Sequence, residues 1–305
     1  MSESTLTARQ RPALRKGGRW RINLAAYLFL LPQLSVFLIF VVLPVVFALV
    51  LAFMDYRPTR LSFVGFDNFR RVFTDPLMGI ALRNTSIFTV GVVVFWLGKA
   101  LLIAYLIDPL SKSLQTFFKS AFYLPTVTSG VIISLIWLWI FNPTFGLLNA
   151  IMNVFGFENV AWLGNPNTAL ASLIGMQVIM GGGSSIVLLS AALARIPRDL
   201  YEVAILDGAT RGQMFRNIII PLIKPVLLYL VVTGTINTFQ VFESIYIMTQ
   251  GGPQFATITL VYRIYTTAFQ QFNLGLASAQ AIVLFAFTFL LAWIQFRWLG
   301  QNVEY

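Results

Sequence analysis

Asn237, Gln240, Glu243 and Ser244 lie within one apolar stretch. On a helix they fall on one side, spread over about 120° of the circumference. Gln177 and Ser184 form an i, i+7 pair in another apolar stretch. Amides and a carboxylate offer the paired donors and acceptors that a polyhydroxylated ligand needs, and polar groups inside spans are costly enough to mark a pathway. Each residue fits a second reading equally well, as an interhelical hydrogen bond to another subunit. Glu243 is the strongest pathway candidate, because an isolated carboxylate in an apolar helix must find a partner or a proton. Catalysis has little to work with. The chain contains neither cysteine nor histidine, which removes disulfides, Cys/His metal sites, a cysteine nucleophile and a histidine base. No catalytic or metal-ligating residue is expected. Lys99 is not part of a phosphate loop, since Val93 and Ala100 stand where Gly and Ser or Thr are required. Its stem suits snorkelling or pairing. An intramembrane enzyme or a secondary transporter using Glu243 is the competing class.

The elements that must position these groups are set by composition. Of 305 residues, 58% are hydrophobic and 10% charged, and mean hydropathy is +0.79. A soluble domain carries about 25% charged residues, so the solvent here is a bilayer. Six apolar runs are each long enough to cross as helices: 24–53, 85–107, 118–141, 169–194, 226–248 and 278–298. The first carries Pro32 and Pro44, which allow a kink, and is too long for a signal-peptide core. A basic tail, 1–23, precedes a six-span unit, 24–305. Arg9, Arg11, Arg15, Lys16, Arg19 and Arg21 in that tail read as a topology signal and a contact for anionic headgroups. No aromatic-interleaved basic stripe is present beyond it, so nucleic acid is not an expected partner. With the N-terminus inside, fourteen basic residues fall inside and six outside, which places both termini in the cytoplasm. The outer arginines near residues 57–71 weaken that count. Gly181, Gly182 and Gly183 interrupt the fourth run and predict either unwinding or very close helix packing, with packing preferred. Trp162, in the loop before that run, is a candidate interface anchor.

The segment YEVAILDGATRGQMFRNIIIPLIKP, 201–225, breaks the apolar pattern. Pro197, Asp199 and Glu202 favour a helix start. Asp207-Gly208 is a turn signal. Met214, Phe215, Ile218 and Ile219 then recur at helical spacing, and Pro221 and Pro225 limit continuation into the fifth run. Two short helices around a sharp bend are predicted on the cytoplasmic side. Physical chemistry alone fits a surface amphipathic hairpin and a docking element for a soluble partner equally well.

Glu202-Val203-Ala204, three residues, Gly208, nine residues and Ile218-Ile219-Ile220-Pro221 resemble the EAA loop of binding-protein-dependent ABC import permeases. The resemblance favours the docking element. Val203 and Ile220 depart from the family pattern conservatively. The resemblance implies an all-α membrane protein with six transmembrane helices, the ABC type I importer permease fold, and a cytoplasmic coupling helix within 195–225. It implies ATPase coupling through Glu202, Ala204, Asp207, Gly208, Phe215, Ile218 and Pro221. It also implies a multi-pass protein of a bacterial or archaeal cytoplasmic (inner) membrane. Its partners would be an ABC ATPase dimer, a second and different permease, and an external substrate-binding protein. ATP and Mg would be bound by the ATPase subunits, with no cofactor in this chain. "FVGFDNFRRVFTDP", "IWLWIFNPTFGLLN" and the stretch around Gly251-Gly252-Pro253 are similar to the carbohydrate branch of the maltose and glycerol-phosphate type. The implied cargo is a sugar or related polyol such as glycerol phosphate, moved by alternating access. Gln177 and "MGGGSS" stand where relatives carry Trp and Pro-Phe.

Overall fold

The computed structural model describes residues 16–299. Arg9, Arg11 and Arg15 of the basic tail, and residues 300–305, lie outside the described residues. The chain divides into two units, Met1–Val50 and Leu51–Tyr305.

In the first unit, α1 (Lys16–Phe37) runs through one π turn (Leu38–Val42) into α2 (Leu43–Leu51), whose last residue begins the second unit. Pro44 has no amide hydrogen for the carbonyl four residues back, and the π turn just before it absorbs that defect. Tyr27–Leu51 is a 25-residue apolar stretch, long enough for about 30 Å of hydrocarbon at ~1.5 Å per residue. Phe29 and Phe40 are exposed, as suits a helix solvated by lipid.

The second unit opens with an antiparallel hairpin, β1 (Met54–Arg57) and β2 (Arg60–Phe63), pairing Met54 with Phe63 and Arg57 with Arg60. After it come α3 (Asp67–Thr74), α4 (Pro76–Ile107), α5 (Lys112–Tyr123), α6 (Gly130–Ile140) and α7 (Leu147–Val154). Next are α8 (Pro166–Met180), α9 (Gly183–Leu193), α10 (Arg198–Leu206) and α11 (Arg211–Met214). The chain closes with α12 (Ile220–Phe239), α13 (Glu243–Met248), α14 (Leu260–Tyr265) and α15 (Leu274–Leu299). The 32-residue α4 is the central post, packed against α8, α9, α12 and α14. Phe88, Leu173, Met176, Phe239, Ile245 and Leu260 are buried in one cluster, and Ile186, Leu189, Ile219 and Ile223 in another.

Among the described residues, four helical stretches are each long and apolar enough to cross a membrane: Tyr27–Leu51, Pro76–Ile107, Arg211–Met248 and Leu274–Leu299. Lys112–Val127 with Gly130–Ile140 bends by 95°, and Pro166–Met180 with Gly183–Leu193 by 48°. Six spans result when each bent pair counts as one. The expected run 118–141 is therefore corrected: it is not one straight helix. Pro125 and the extended Thr128 and Ser129 end the helical path. The 11-residue α6 is about 16 Å long, short of the ~30 Å core by itself.

The arginines that weakened the charge count are partly neutralised. Buried Asp55 holds Arg57 at 2.9 Å and Arg60 at 3.3 Å across the hairpin, and Asp67 holds Arg71 at 2.8 Å. Asp75 holds Arg263 at 2.8 Å and also caps α4 by accepting from the Leu77 amide. The Trp162 indole donates to Asn149 Oδ1 at 2.8 Å, which ties it into its own loop. Around Gly251-Gly252-Pro253, buried Thr257 donates to the Gly252 carbonyl, and Asn84 on α4 donates to the carbonyls of Phe255 and Ile258.

Candidate functional site

Three helices are interrupted, and the interruptions meet. A cavity of about 530 Å³ is lined by Thr128 and Gly130 at the start of α6, by Gln177, Met180 and Gly181 at the end of α8, and by Asn237, Gln240, Glu243 and Ser244 where α12 gives way to α13. Broken backbone at membrane depth is tolerated where it lines a polar cavity, because the freed amides and carbonyls can be hydrated there. Glu243 begins α13, where a carboxylate favours the positive helix end. Its Oε2 also lies where a Cβ on Gly130 would have to go, so the absence of a side chain at 130 admits the carboxylate to the start of α6. Gln177, Asn237, Gln240 and Glu243 have no side-chain hydrogen-bond or ion-pair partner among the described residues. Four unpaired polar groups facing one space are ready for a ligand's hydroxyls.

The α8–α9 break resolves the glycine run. Gly182 sits at φ +99°, a conformation costly for any residue with a Cβ. A Cβ there would lie 2.6 Å from Trp96 Nε1, and one on Gly183 would strike the Phe122 carbonyl. The helix packs closely here, as the sequence favours, but it also opens. Lys99 reaches across from α4 and donates to the carbonyls of Val178, Ile179 and Gly181. It pairs rather than snorkels, capping the C-terminal end of α8, where carbonyls lack intrahelical partners.

The expectation that Gln177 and Ser184 share a face is corrected. The break and its 48° bend intervene, and Ser184 lines a second cavity of about 600 Å³ with Ser185, Tyr229, Thr233 and Asn237. Asn237 borders both. Sequence reasoning also missed Thr126, Thr128 and Phe242 in the first cavity. The Pro125 and Ser129-Gly130 punctuation was the available signal.

The 195–225 segment folds as two short helices around a bend. The amide of Ala209 donates to the Ala204 carbonyl at 2.9 Å and Gly208 takes φ +75°, a closure that favours glycine after a helix. Thr210 then opens α11 with a capping box to Gln213, a signature legible as Thr-x-x-Gln. Ala204 is buried, and the Phe215 ring lies 5.3 Å from that of Tyr105 on α4. Both face inward, Ile218 is half-buried, and Glu202 and Pro221 are exposed. The apolar side chains α10 presents outward are Leu200, Val203, Ile205 and Leu206, the last 86% exposed. Burial raises the Tyr201 phenol above its ordinary pKa, and the nearby Asp108 carboxylate adds to the effect.

Residues 100–304 match the family described as the inner membrane component of binding-protein-dependent transport systems. The chain belongs to this family. A probable ABC transporter permease of Bacillus subtilis (strain 168) is 36% identical over 284 residues, covering 91% of this chain and 97% of its own. The sn-glycerol-3-phosphate transport system permease of Brucella abortus biovar 1 (strain 9-941) is 32% identical over 286 residues, with 92% and 96% covered. The sulfoquinovosyl glycerol transport system permease of Agrobacterium fabrum is 31% identical over 296 residues, with 94% of each covered. The fold is similar to a chain in the crystal structure of a bacterial ABC transporter involved in import of the acidic polysaccharide alginate. That match has a TM-score of 0.84 at 25% identity and covers 95% of this chain and 100% of that one. This permease is therefore a multi-pass ABC importer subunit, a transport component and not an enzyme.

Proposed function

We propose that this permease forms half of a transmembrane path for a carbohydrate or related polyol. It sits in a bacterial or archaeal cytoplasmic membrane with both termini inside. The observation that carries this reading is the cavity where three interrupted helices meet, lined by the unpaired Gln177, Asn237, Gln240 and Glu243. Cargo arrives from an external binding protein, and a second, different permease completes the path. Two ATPase subunits hold ATP and Mg. Exposed Val203, Ile205 and Leu206 enter a groove on an ATPase, beside Glu202 and the Asp207-Gly208 bend. Phe215 and Ile219 tie the same segment to the membrane helices, and Ala204 is buried. ATPase closure thus draws the docked segments together, and the spans reorient around the cavity.

Two variants test this. Gly208→Pro forbids the φ +75° bend and is expected to lose the co-purifying ATPase and ATP-driven uptake; wild-type yields of both would sink the docking role. Glu243→Ala is expected to lower uptake, and unchanged uptake with unchanged substrate-stimulated ATPase would remove Glu243 from the pathway.

A further inference from the structure

The relatives named for a cargo carry anions: a phosphate ester, a sulfonated glycoside and, in the structural neighbour, an acidic polysaccharide. The cavity of this chain has the opposite electrostatic character. Among the described residues lining it there is no lysine or arginine, and its one charged side chain is Glu243. Two features that would ordinarily attract an anion are already engaged. Lys99 lies behind the α8 end of the cavity, but its three N–H donors go to the carbonyls of Val178, Ile179 and Gly181. The N-terminal end of α6 faces the cavity at Gly130, but the Glu243 carboxylate occupies that approach. What is left for a ligand is amides at Gln177, Asn237 and Gln240, the hydroxyls of Thr126 and Thr128, and the rings of Phe88 and Phe242. These suit hydroxyl groups and the apolar faces of sugar rings, and none of them supplies the positive charge that would balance a phosphate, sulfonate or uronate.

We propose that this cavity excludes anions, that Glu243 sets the exclusion, and that the cargo is a neutral polyol or oligosaccharide. The proposal deepens the transport reading and rests on it. An anion entering would have to displace the Glu243 carboxylate or sit against it, since like charges in a confined space repel strongly. A neutral polyol can instead donate hydroxyl hydrogens to the same carboxylate, a stronger bond than one to a neutral acceptor.

The chain has no cysteine, so one introduced thiol reports the cavity potential directly. Thr128→Cys, with Thr126→Cys as the second reporter, is prepared in the complete transporter complex in nanodiscs. It is reacted with methanethiosulfonates bearing a trimethylammonium or a sulfonate group, and modification of this chain is read by intact mass. Each rate is divided by that for free 2-mercaptoethanol. A unit charge about 6 Å away in water-like dielectric gives about a tenfold ratio in favour of the cationic reagent. In the Glu243→Gln background that ratio should fall about tenfold. A ratio at least about fivefold higher with Glu243 present than in the Glu243→Gln background supports the proposal, and any smaller difference overturns it. ATP-dependent uptake of sn-glycerol 3-phosphate or an alginate trisaccharide by the wild-type complex in proteoliposomes overturns the neutral-cargo assignment, whatever the labelling shows. Uptake that persists without ATP would sink the importer reading while leaving the anion exclusion standing, so the two failures are distinguishable.

Discussion

Replacing Lys99 by methionine removes the ammonium and keeps most of the apolar stem. Lys99 Nζ donates at 3.0 Å to Ile179 O and 2.7 Å to Gly181 O, and also to Val178 O. The carbonyls of Val178 and Ile179 belong to the last turn of α8, so no later turn of that helix can serve them. A hydrogen bond to a charged group contributes about 1.5–3 kcal/mol. The three share one half-exposed charge and are not additive, so a combined loss of about 2–4 kcal/mol is expected after solvent screening. At roughly 2–4 °C per kcal/mol, the unfolding midpoint should fall by about 4–16 °C. The assay is the fraction of purified complex that stays monodisperse on size exclusion after heating. Hydrogen exchange should rise at the amides of 181–183, because the break loses the side chain that braces it. Lys99→Arg retains charge and donors and should recover most of the loss. A Lys99→Met midpoint within about 1 °C of wild type would refute the capping account and leave Lys99 as a snorkelling side chain.

Gly183→Ala drives a Cβ into the Phe122 carbonyl, whereas a Cβ on Gly98 meets nothing within 4 Å. The first should cost about 1–3 kcal/mol in the same heating assay, and Gly98→Ala in mid-helix should be neutral or stabilising by up to about 1 kcal/mol. Asp75→Asn strips the partner from Arg263, whose side chain is only 12% exposed, and should lower stability by about 1–3 kcal/mol; an unchanged midpoint would show that the pair is not structural. Tyr201 has a raised folded-state pKa relative to its ordinary 10.0. Its contribution is therefore fully present below pH 10.0 and is lost as pH rises through the folded value. The tyrosinate absorbance that disappears in Tyr201→Phe should titrate above pH 10.0, and titration below that value would contradict the partly buried placement beside Asp108.

Much of the 195–225 segment was legible from residue types alone. Gly208 after Asp207 marked the bend because few other residues accept φ +75°, and the helices on either side came from local capping chemistry. The outward face was less legible. Helical spacing put Phe215 with Ile218 on one apolar face, but spacing does not say which face meets the rest of the protein. Tyr105 claims Phe215, and Val203, Ile205 and Leu206 are left outside. The candidate pathway residues divide in the same way. Asn237, Gln240, Glu243 and Ser244 line one cavity, although a helix break lies among them, while the break at Gly181-Gly182 separates Ser184 from Gln177. A wheel projection assumes an unbroken screw, and each interruption resets its phase.

The sequence by itself determined the solvent, the apolar runs, the absence of histidine and cysteine chemistry, and the spaced pattern of the 195–225 segment. All of these are local properties, written in composition and short-range periodicity. Only the tertiary structure decided that three helix breaks converge, that Lys99 is engaged with carbonyls some 80 positions away, and that Arg263 is neutralised by Asp75 across 188 positions. Such contacts depend on how helices pack, and no spacing along the chain encodes a distance between residues that far apart. The charge of the cavity lining is a product of those contacts: Lys99 is engaged with carbonyls, and Glu243 is left lining the cavity.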